Sequence, residues 1–298
     1  MIMKLLGISA GRKMGNSEIL LKEALMAAEG TGDIEAEIVC LHDLNIKFCT
    51  GCEACTHATP ENPDASCVIK DDDMSFLRDK LDECDGLIIS SPTFMTRPPG
   101  IFFTMNERFL GFGPKYLMDV FKRKRTGAII SIGGTDWTQM ALPMLMMPFF
   151  MLNIRVVDKL QVKWSSSSGQ VLAYDDYIKR AAELGGNLAV AMKNPGRYDY
   201  MGGDKGLCPY CNSNLLMIGN TTVVTCPLCD IKGDLRIEGN EIKIDWREED
   251  IKNIRWEPAG MGRHVGLIKE NHAHFERNRE IVRQRLEKYK NYKTYCRP

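Results

Sequence analysis

The 298-residue chain has no long hydrophobic run and no excess of either charge. Its 39 basic residues balance 39 acidic ones, so the composition calls for neither a nucleic acid nor a membrane as partner. No apolar stretch reaches the roughly 18 residues of a membrane span. The short apolar segment at the N-terminus runs into polar, glycine-rich sequence, which does not fit a secretory signal. We therefore expect a cytoplasmic protein.

The sequence also lacks a recognisable Ser-His-Asp arrangement and any paired carboxylates of the kind that hydrolases use. A cofactor would therefore have to carry the chemistry. The chain does contain eleven cysteines, eight of them in two tight groups. Disulfides are rare in a reducing compartment, so this ligand-like spacing favours metal sites.

Up to residue 193, short β-branched runs alternate with amphipathic helical patterns, which is typical of parallel βαβ units. Strands are predicted over 3–9, 35–41, 86–92, 126–134 and 154–162. Helices are predicted over 16–30, 71–84, about 98–110, 138–152 and 174–192. This order predicts an α/β domain over residues 1–193, a flavodoxin-like doubly wound sheet of five parallel strands.

The composition changes after this domain. Residues 194–206 are rich in Gly, Pro and Asp and predict a linker. Two hairpins, turning at Gly219-Asn220 and Gly239-Asn240, are expected in a small β domain over 207–250. The tail, 251–298, is predicted to contain a polar helix from about 270 to 292.

The loop between the first strand and the first helix, residues 7–18, has the composition of an anion site. Free N–H groups and the helix dipole converge at this point of an open α/β sheet. Ser9, Arg12, Asn16 and Ser17 offer donors or charge, and Gly15 lets the main chain come close. The loop matches neither the Walker nor the G-x-G-x-x-G pattern, so a mononucleotide phosphate fits best. A glycine turn with Asn16 or Ser17 capping the helix is the alternative.

Two further loops, 91–100 and 132–139, follow the third and fourth strands at the same carboxyl edge of the sheet. They offer backbone groups, three threonine hydroxyls and two aromatic rings: Thr93, Thr96, Thr135, Phe94 and Trp137. Loops of this kind can flank and hydrogen-bond a flat heteroaromatic ring.

Four segments, GISAGRKMGNSEILLKEAL, FCTGCEAC, CVIKDDDM and DGLIISSPTF, occur in this order. Over about residues 1–190 the chain resembles the NADPH-dependent FMN reductase family, in its iron–sulfur flavoprotein branch. The resemblance implies FMN, with its phosphate near Ser9, Arg12, Asn16 and Ser17, and oligomers, dimers or tetramers, in which the flavin lies near a subunit boundary. It places the isoalloxazine ring near Pro92, Thr93, Phe94, Met95, Thr96, Gly133, Gly134, Thr135, Asp136 and Trp137.

The chain departs from this family at two points. The family commonly has proline where Ala10 or Gly11 stands, and an aromatic–glycine pair where Phe94-Met95 stands. Both departures fall in loops expected to contact the flavin.

The first cysteine group, Cys49, Cys52, Cys55 and Cys67, has the spacing C-x2-C-x2-C-x11-C and predicts a [4Fe–4S] cluster. The last gap is longer than in bacterial ferredoxins. A zinc site with His57 as substitute ligand and a flavoprotein with unligated thiols are the alternatives. Because the loop follows strand two, cluster and flavin would be neighbours at one edge.

The second group, Cys208, Cys211, Cys226 and Cys229, forms two C-x2-C pairs and predicts a zinc ribbon with a structural, closed site. A redox-active, rubredoxin-like iron is the alternative. Rubredoxin knuckles place glycine after the second cysteine, whereas Asn212 and Asp230 stand here; both tolerate the left-handed conformation.

The sequence thus predicts an FMN-dependent oxidoreductase that passes electrons from NAD(P)H or a ferredoxin-like donor, through flavin and cluster, to a small acceptor. One alternative is a clusterless reductase of flavins, quinones or nitro compounds. The other is an electron carrier or interaction protein that acts through its ribbon. The basic segment 121–125 is interpreted as a solvated helix face, not a nucleic-acid site.

Overall fold

Five parallel strands form the main sheet, in the order β2-β1-β3-β4-β5. The computed structural model describes residues 2–56, 65–196, 199–203, 206–290 and 292. The strands are β1 Met3–Ser9, β2 Ile34–Cys40, β3 Gly86–Pro92, β4 Arg125–Ile132 and β5 Ile154–Val162. This is the flavodoxin order, and it confirms the predicted fold class.

Helices cover both faces of this sheet. On one face lie α1 Asn16–Glu29 and α7 Asp175–Met192. On the other lie α2 Met74–Glu83, α3 Gly100–Arg108, α4 Pro114–Val120, α5 Ala141–Leu145 and α6 Met147–Met151. Along β3, Leu87 and Ile89 enter one core and Ile88 the other, and all three are fully buried. A parallel sheet covered on both faces requires such continuous apolar strands.

Two helical predictions need correction. The single helix predicted over 138–152 is wrong, because it is divided into α5 and α6. Pro148 has no N–H and cannot continue the hydrogen-bond ladder of α5, but it fits in the first turn of α6, where no donor is needed. The C-terminal helix, α9 Pro258–Lys290, begins well before the predicted residue 270.

The C-terminal part contains an antiparallel sheet of four strands. These are β6 Met217–Ile218, β7 Val223–Thr225, β8 Lys232–Glu238 and β9 Glu241–Trp246, followed by the short helix α8 Glu248–Lys252. Both predicted hairpins are present. In the second, Glu238 pairs with Glu241 across a two-residue turn, and Gly239 takes the positive φ of 63° that such a turn requires.

The ribbon shares a core with the main sheet. Phe150 of α6 stacks on Trp256, with ring centroids 4.9 Å apart and 6° between the ring planes. The Trp256 indole N–H donates to the Leu228 carbonyl, and the Arg155 guanidinium lies 3.5 Å from the Tyr210 ring centroid. The ribbon is therefore packed against α6 and β5. No helix in the described part of the chain combines the length and apolar character needed to span a membrane.

Replacing Trp256 with alanine should lower the free energy of unfolding by about 3–5 kcal/mol, because it empties a buried site at this junction. Trp137→Ala is the matched control: Trp137 is 62% exposed, and its loss should change stability by no more than about 0.5 kcal/mol. Urea unfolding of the metal-loaded protein measures both. Equal effects of the two substitutions would contradict the shared core.

Candidate functional site

The loop after β1 presents unpaired donors at the carboxyl edge of the sheet. The first amide to bond within α1 is that of Ile19, which donates to the Gly15 carbonyl at 3.0 Å. The N–H groups of Asn16, Ser17 and Glu18 precede it and have no partner within the helix. Among the described residues the exposed Arg12 guanidinium has no hydrogen-bond or ion-pair partner either. These donors suit an anion such as phosphate.

The other predicted phosphate ligands lie deeper. The Asn16 carboxamide donates to the Ser165 and Ser167 carbonyls, both at 2.8 Å, and accepts from the Val171 amide at 3.1 Å. Both hydrogens of the carboxamide are used, so only the backbone N–H of Asn16 can donate to an anion. Ser9 and Ser17 are buried, and Ser17 Oγ would lie 2.0 Å from a Cβ at position 11. Only glycine fits at position 11 beside Ser17.

The loop after β3 makes a tight two-residue turn. The Phe94 and Arg97 backbones exchange hydrogen bonds of 2.8 and 3.2 Å, with Met95 and Thr96 at φ of 50° and 68° between them. A glycine, which the family commonly has at position 95, would take this conformation without strain. Met95 holds it at a cost of about 1–3 kcal/mol, and strain of this kind clusters at ligand sites.

Several predicted ring contacts are exposed at this edge. Phe94 is 61%, Met95 77% and Trp137 62% exposed, whereas Gly133 is buried. The two loops expected to flank the flavin ring, those after β3 and β4, are connected, because the Thr93 amide donates to the Ile132 carbonyl at 2.8 Å. The remaining predicted residues, Pro92, Thr96, Gly134, Thr135 and Asp136, lie on the same two loops and are partly or fully exposed.

Sequence reasoning missed a fourth loop, residues 163–170, which follows β5. The Ser165 amide donates to the Gly133 carbonyl at 3.1 Å, and the Ser168 hydroxyl donates to the Met14 carbonyl at 3.0 Å. The loop therefore joins the phosphate loop to the loop after β4. It also carries Trp164, 57% exposed, at the same edge. The sequence signal that could have identified this loop is its position directly after a parallel strand.

Among the described residues, only the second cysteine group brings its sulfurs within 4.8 Å of one another. In the first group, Cys49, Cys52 and Cys67 lie near enough to affect the Cys55 thiol. Burial raises the pKa of the Cys55 thiol, and the nearby charges of Cys67, Cys49 and Cys52 raise it further. The Ala54 amide and the Thr50 hydroxyl lower the pKa of Cys52. Cys49 and Cys52 are exposed, while Cys55 and Cys67 are partly buried. The four-thiolate cluster at these cysteines stays a prediction from their spacing along the chain. His57 lies outside the described residues.

Cys67 reaches this group because the segment around it docks onto the end of α3. Its amide donates to the Gly111 carbonyl at 2.8 Å, and a Cβ at position 111 would lie 2.6 Å from the Cys67 Cβ. Gly113, at φ 86°, similarly admits the Ala65 carbonyl. Gly111 and Gly113 leave room for residues 65–67 to pack here, although eleven residues separate Cys55 from Cys67.

Arg108 lies directly beneath this segment. Its side chain is 2% exposed, pairs with the Asp72 carboxylate, which is 1% exposed, and donates to the Lys47 carbonyl at 2.8 Å. Burial alone lowers the pKa of Arg108, but the hydrogen bond to Asp72 and contact with the Cys67 sulfur raise it overall. A buried arginine at this place was not predicted.

The second cysteine group forms a closed site. The sulfurs of Cys208, Cys211, Cys226 and Cys229 all lie within 4.8 Å of one another, and all four residues are buried. The Asn212 amide donates to the Cys208 carbonyl at 2.9 Å, and the Asp230 amide to the Cys226 carbonyl at 2.8 Å. Asn212 and Asp230 have φ of 54° and 62°, so both take the left-handed conformation that these residue types tolerate. Four buried thiolates fit a tetrahedral metal ion.

The flavodoxin strand order, the donor-rich first loop and the buried four-cysteine group define a flavodoxin-like protein with a metal-binding site. Residues 3–169 match the NADPH-dependent FMN reductase family, and the chain belongs to that family. It is an FMN-dependent oxidoreductase.

Individual relatives extend this similarity beyond the matched residues. "Flavone synthase cfoJ" of Aspergillus candidus is 30% identical, over 88% of each chain. A solved structure titled "flavone reductase" is 26% identical, with a TM-score of 0.81, over 99% of this chain and 100% of that one. An iron–sulfur flavoprotein of Archaeoglobus fulgidus is 26% identical, over 66% of this chain and 84% of its own. The two flavone-named proteins thus match the ribbon region as well.

Arg108→Leu should destabilise the protein by about 3–5 kcal/mol, because it leaves the buried Asp72 carboxylate without its opposite charge. Replacing both residues, Arg108→Leu with Asp72→Leu, should cost less than the single change. The exposed pair of Arg236 and Asp245 is the control, and Arg236→Leu should leave the denaturation midpoint nearly unchanged. A single variant no less stable than the double one would contradict this account.

Proposed function

We propose that this enzyme transfers reducing equivalents from NAD(P)H through FMN to a planar aromatic acceptor, and that a flavone-type enone is the first acceptor to test. The observation that carries the proposal is the group of exposed aromatic side chains at the carboxyl edge: Phe94, Trp137 and Trp164. Exposed rings beside a flat cofactor can stack a second flat molecule. The near full-length similarity to two flavone-named proteins supports the same acceptor class.

The proposed FMN site uses all of the predicted loops. Arg12 and the N–H groups of Asn16 and Ser17 would hold the phosphate, with Ser9 and Gly15 shaping the loop. Residues 92–96 and 133–137 would flank the ring. Reduction of an enone adds a hydride to the carbon β to the carbonyl and a proton to the α carbon. NAD(P)H supplies the hydride equivalent and solvent the proton.

The thiols of Cys49, Cys52, Cys55 and Cys67 are proposed to hold a [4Fe–4S] cluster. The spacing of the cysteines, the docking of the 65–67 segment and the similarity to an iron–sulfur flavoprotein support it. A flavin handles hydride or single electrons and an iron–sulfur centre one electron at a time, so a ferredoxin-like donor is the alternative source.

The second site is proposed to hold zinc in a structural role, with rubredoxin-like iron as the alternative. Its four sulfurs are buried and leave no side open to substrate, which suits a closed structural ion. We further propose a cytoplasmic homo-oligomer with domain limits near 1–193, 194–206, 207–250 and 251–298.

A clusterless reductase of the same fold is the second candidate. The exposure of Cys49 and Cys52 and the names of the two near full-length relatives favour it. In that case flavin alone would connect NAD(P)H to the acceptor.

Anaerobic purification should yield protein with flavin absorbance, about four iron and four sulfide per chain, and about one further metal ion. Cys55→Ser should lose most of the cluster iron and keep the flavin, whereas Cys84→Ser, a buried thiol outside both groups, should keep both. Flavin without iron would select the clusterless candidate. Absence of flavin would contradict the proposal itself.

Trp137→Ala should raise the KM for a flavone roughly tenfold at saturating FMN, because it removes a stacking surface. Phe76→Ala, an exposed ring on α2 that belongs to none of the loops after β1, β3, β4 and β5, should leave KM unchanged. Steady-state oxidation of NAD(P)H with a flavone as acceptor measures both. An unaltered KM in Trp137→Ala would place the acceptor elsewhere.

A further inference from the structure

Helix α9 is much longer than its contacts with the rest of the chain require. It runs for 33 residues, Pro258–Lys290, and is therefore about 50 Å long. Only Gly260 and Met261, in its first turn, are buried. A helix that leaves the body of the protein after one turn gains little stability from tertiary packing.

The exposed part nevertheless carries a regular apolar stripe. Five apolar residues recur at intervals of seven: Met261, Ile268, Phe275, Val282 and Tyr289. The positions between them, spaced four and three residues apart, are occupied by Val265, His272, Arg279 and Leu286. We call these nine residues the α9 seam. A 3-4 spacing sustained over four heptads is the pattern of a coiled coil.

The seam is uncovered in the single chain. Phe275 is 47%, Val282 42%, Leu286 52% and Tyr289 60% exposed. Within the described part of the chain the one contact on these rings is the Lys288 ammonium, 4.7 Å from the Tyr289 ring centroid. Seven of the nine seam residues are apolar, and an exposed apolar stripe of this length indicates an association surface.

The charges of α9 distinguish between possible pairings. In a parallel pair, His272 and Arg279 would each face their own copy, and Arg285 would lie beside Lys290 of the other helix. These contacts repel. In an antiparallel pair in which each seam residue faces one of the other heptad position, Val265 lies opposite Val282 and Phe275 opposite His272. Lys269 then flanks Glu276 of the other helix, twice by symmetry.

We propose that the α9 seam pairs with α9 of a second copy of this chain in an antiparallel coiled coil. In this arrangement the apolar ends of the two seams cover each other, and the opposite charges of Lys269 and Glu276 meet beside the centre. The polar His272 and Arg279 lie near the middle, where they fix register and direction at some cost in stability.

Sedimentation of the full-length protein over a range of concentrations tests this pairing. Val282→Glu should raise the dissociation constant at least tenfold and halve the mass of the assembly at low micromolar concentration, because it buries a charge in the seam. Ile281→Glu is the control: Ile281 is similarly exposed, at 48%, but points away from the seam, and its substitution should leave the mass unchanged. Equal masses for wild type and Val282→Glu, or equal dissociation by both variants, would overturn the proposal.

Charge reversal tests the direction of pairing independently. Lys269→Glu should weaken association several-fold, and adding Glu276→Lys should restore it, since the two charges meet only in the antiparallel register. Far-UV circular dichroism and flavin content establish that each variant is folded. A double variant that associates no better than Lys269→Glu would overturn the antiparallel arrangement.

Discussion

The unpaired backbone N–H groups at the start of α1 are the constraint on which the rest of the site depends. Any α-helix leaves its first amides without partners, and here they lie at the edge where five parallel strands end. Arg12 adds a charge without a partner among the described residues. The Asn16 carboxamide ties the same turn to the loop after β5 through three hydrogen bonds. Those bonds hold the donors in place for an anion to bind.

A second polar network gives the cysteine loop its shape. The buried pair of Arg108 and Asp72 joins α3 to the segments on either side of the loop, and the guanidinium contacts the Cys67 sulfur. A buried ion pair is weak evidence for stability, but it specifies one arrangement strongly, because either charge left alone is costly. The pair therefore helps to fix the position of Cys67, although eleven residues separate it from Cys55 in sequence.

Much of this architecture could be predicted from local patterns. The five strands of the main sheet coincide almost residue for residue with the apolar runs, since a strand buried on both faces leaves little ambiguity. The sequence also showed that Asn212 and Asp230 tolerate the left-handed conformation that they take. The Arg108–Asp72 pair could not be predicted in this way, because it depends on contacts between residues distant in sequence. The break at Pro148 and the loop at 163–170 did have local signals, a proline without an N–H and a position directly after a parallel strand, which the sequence predictions missed. The early start of α9 depends on docking of Trp256 and Met261 against the ribbon.

The account rests on one claim, that the loops at the carboxyl edge of the sheet together bind FMN. A crystal structure of the protein grown with FMN tests it most directly. The account predicts phosphate density at the N–H groups of Asn16 and Ser17 with Arg12 beside it, and the ring between residues 92–96 and 133–137. Flavin bound away from this edge, or no flavin at saturating concentration, would contradict it.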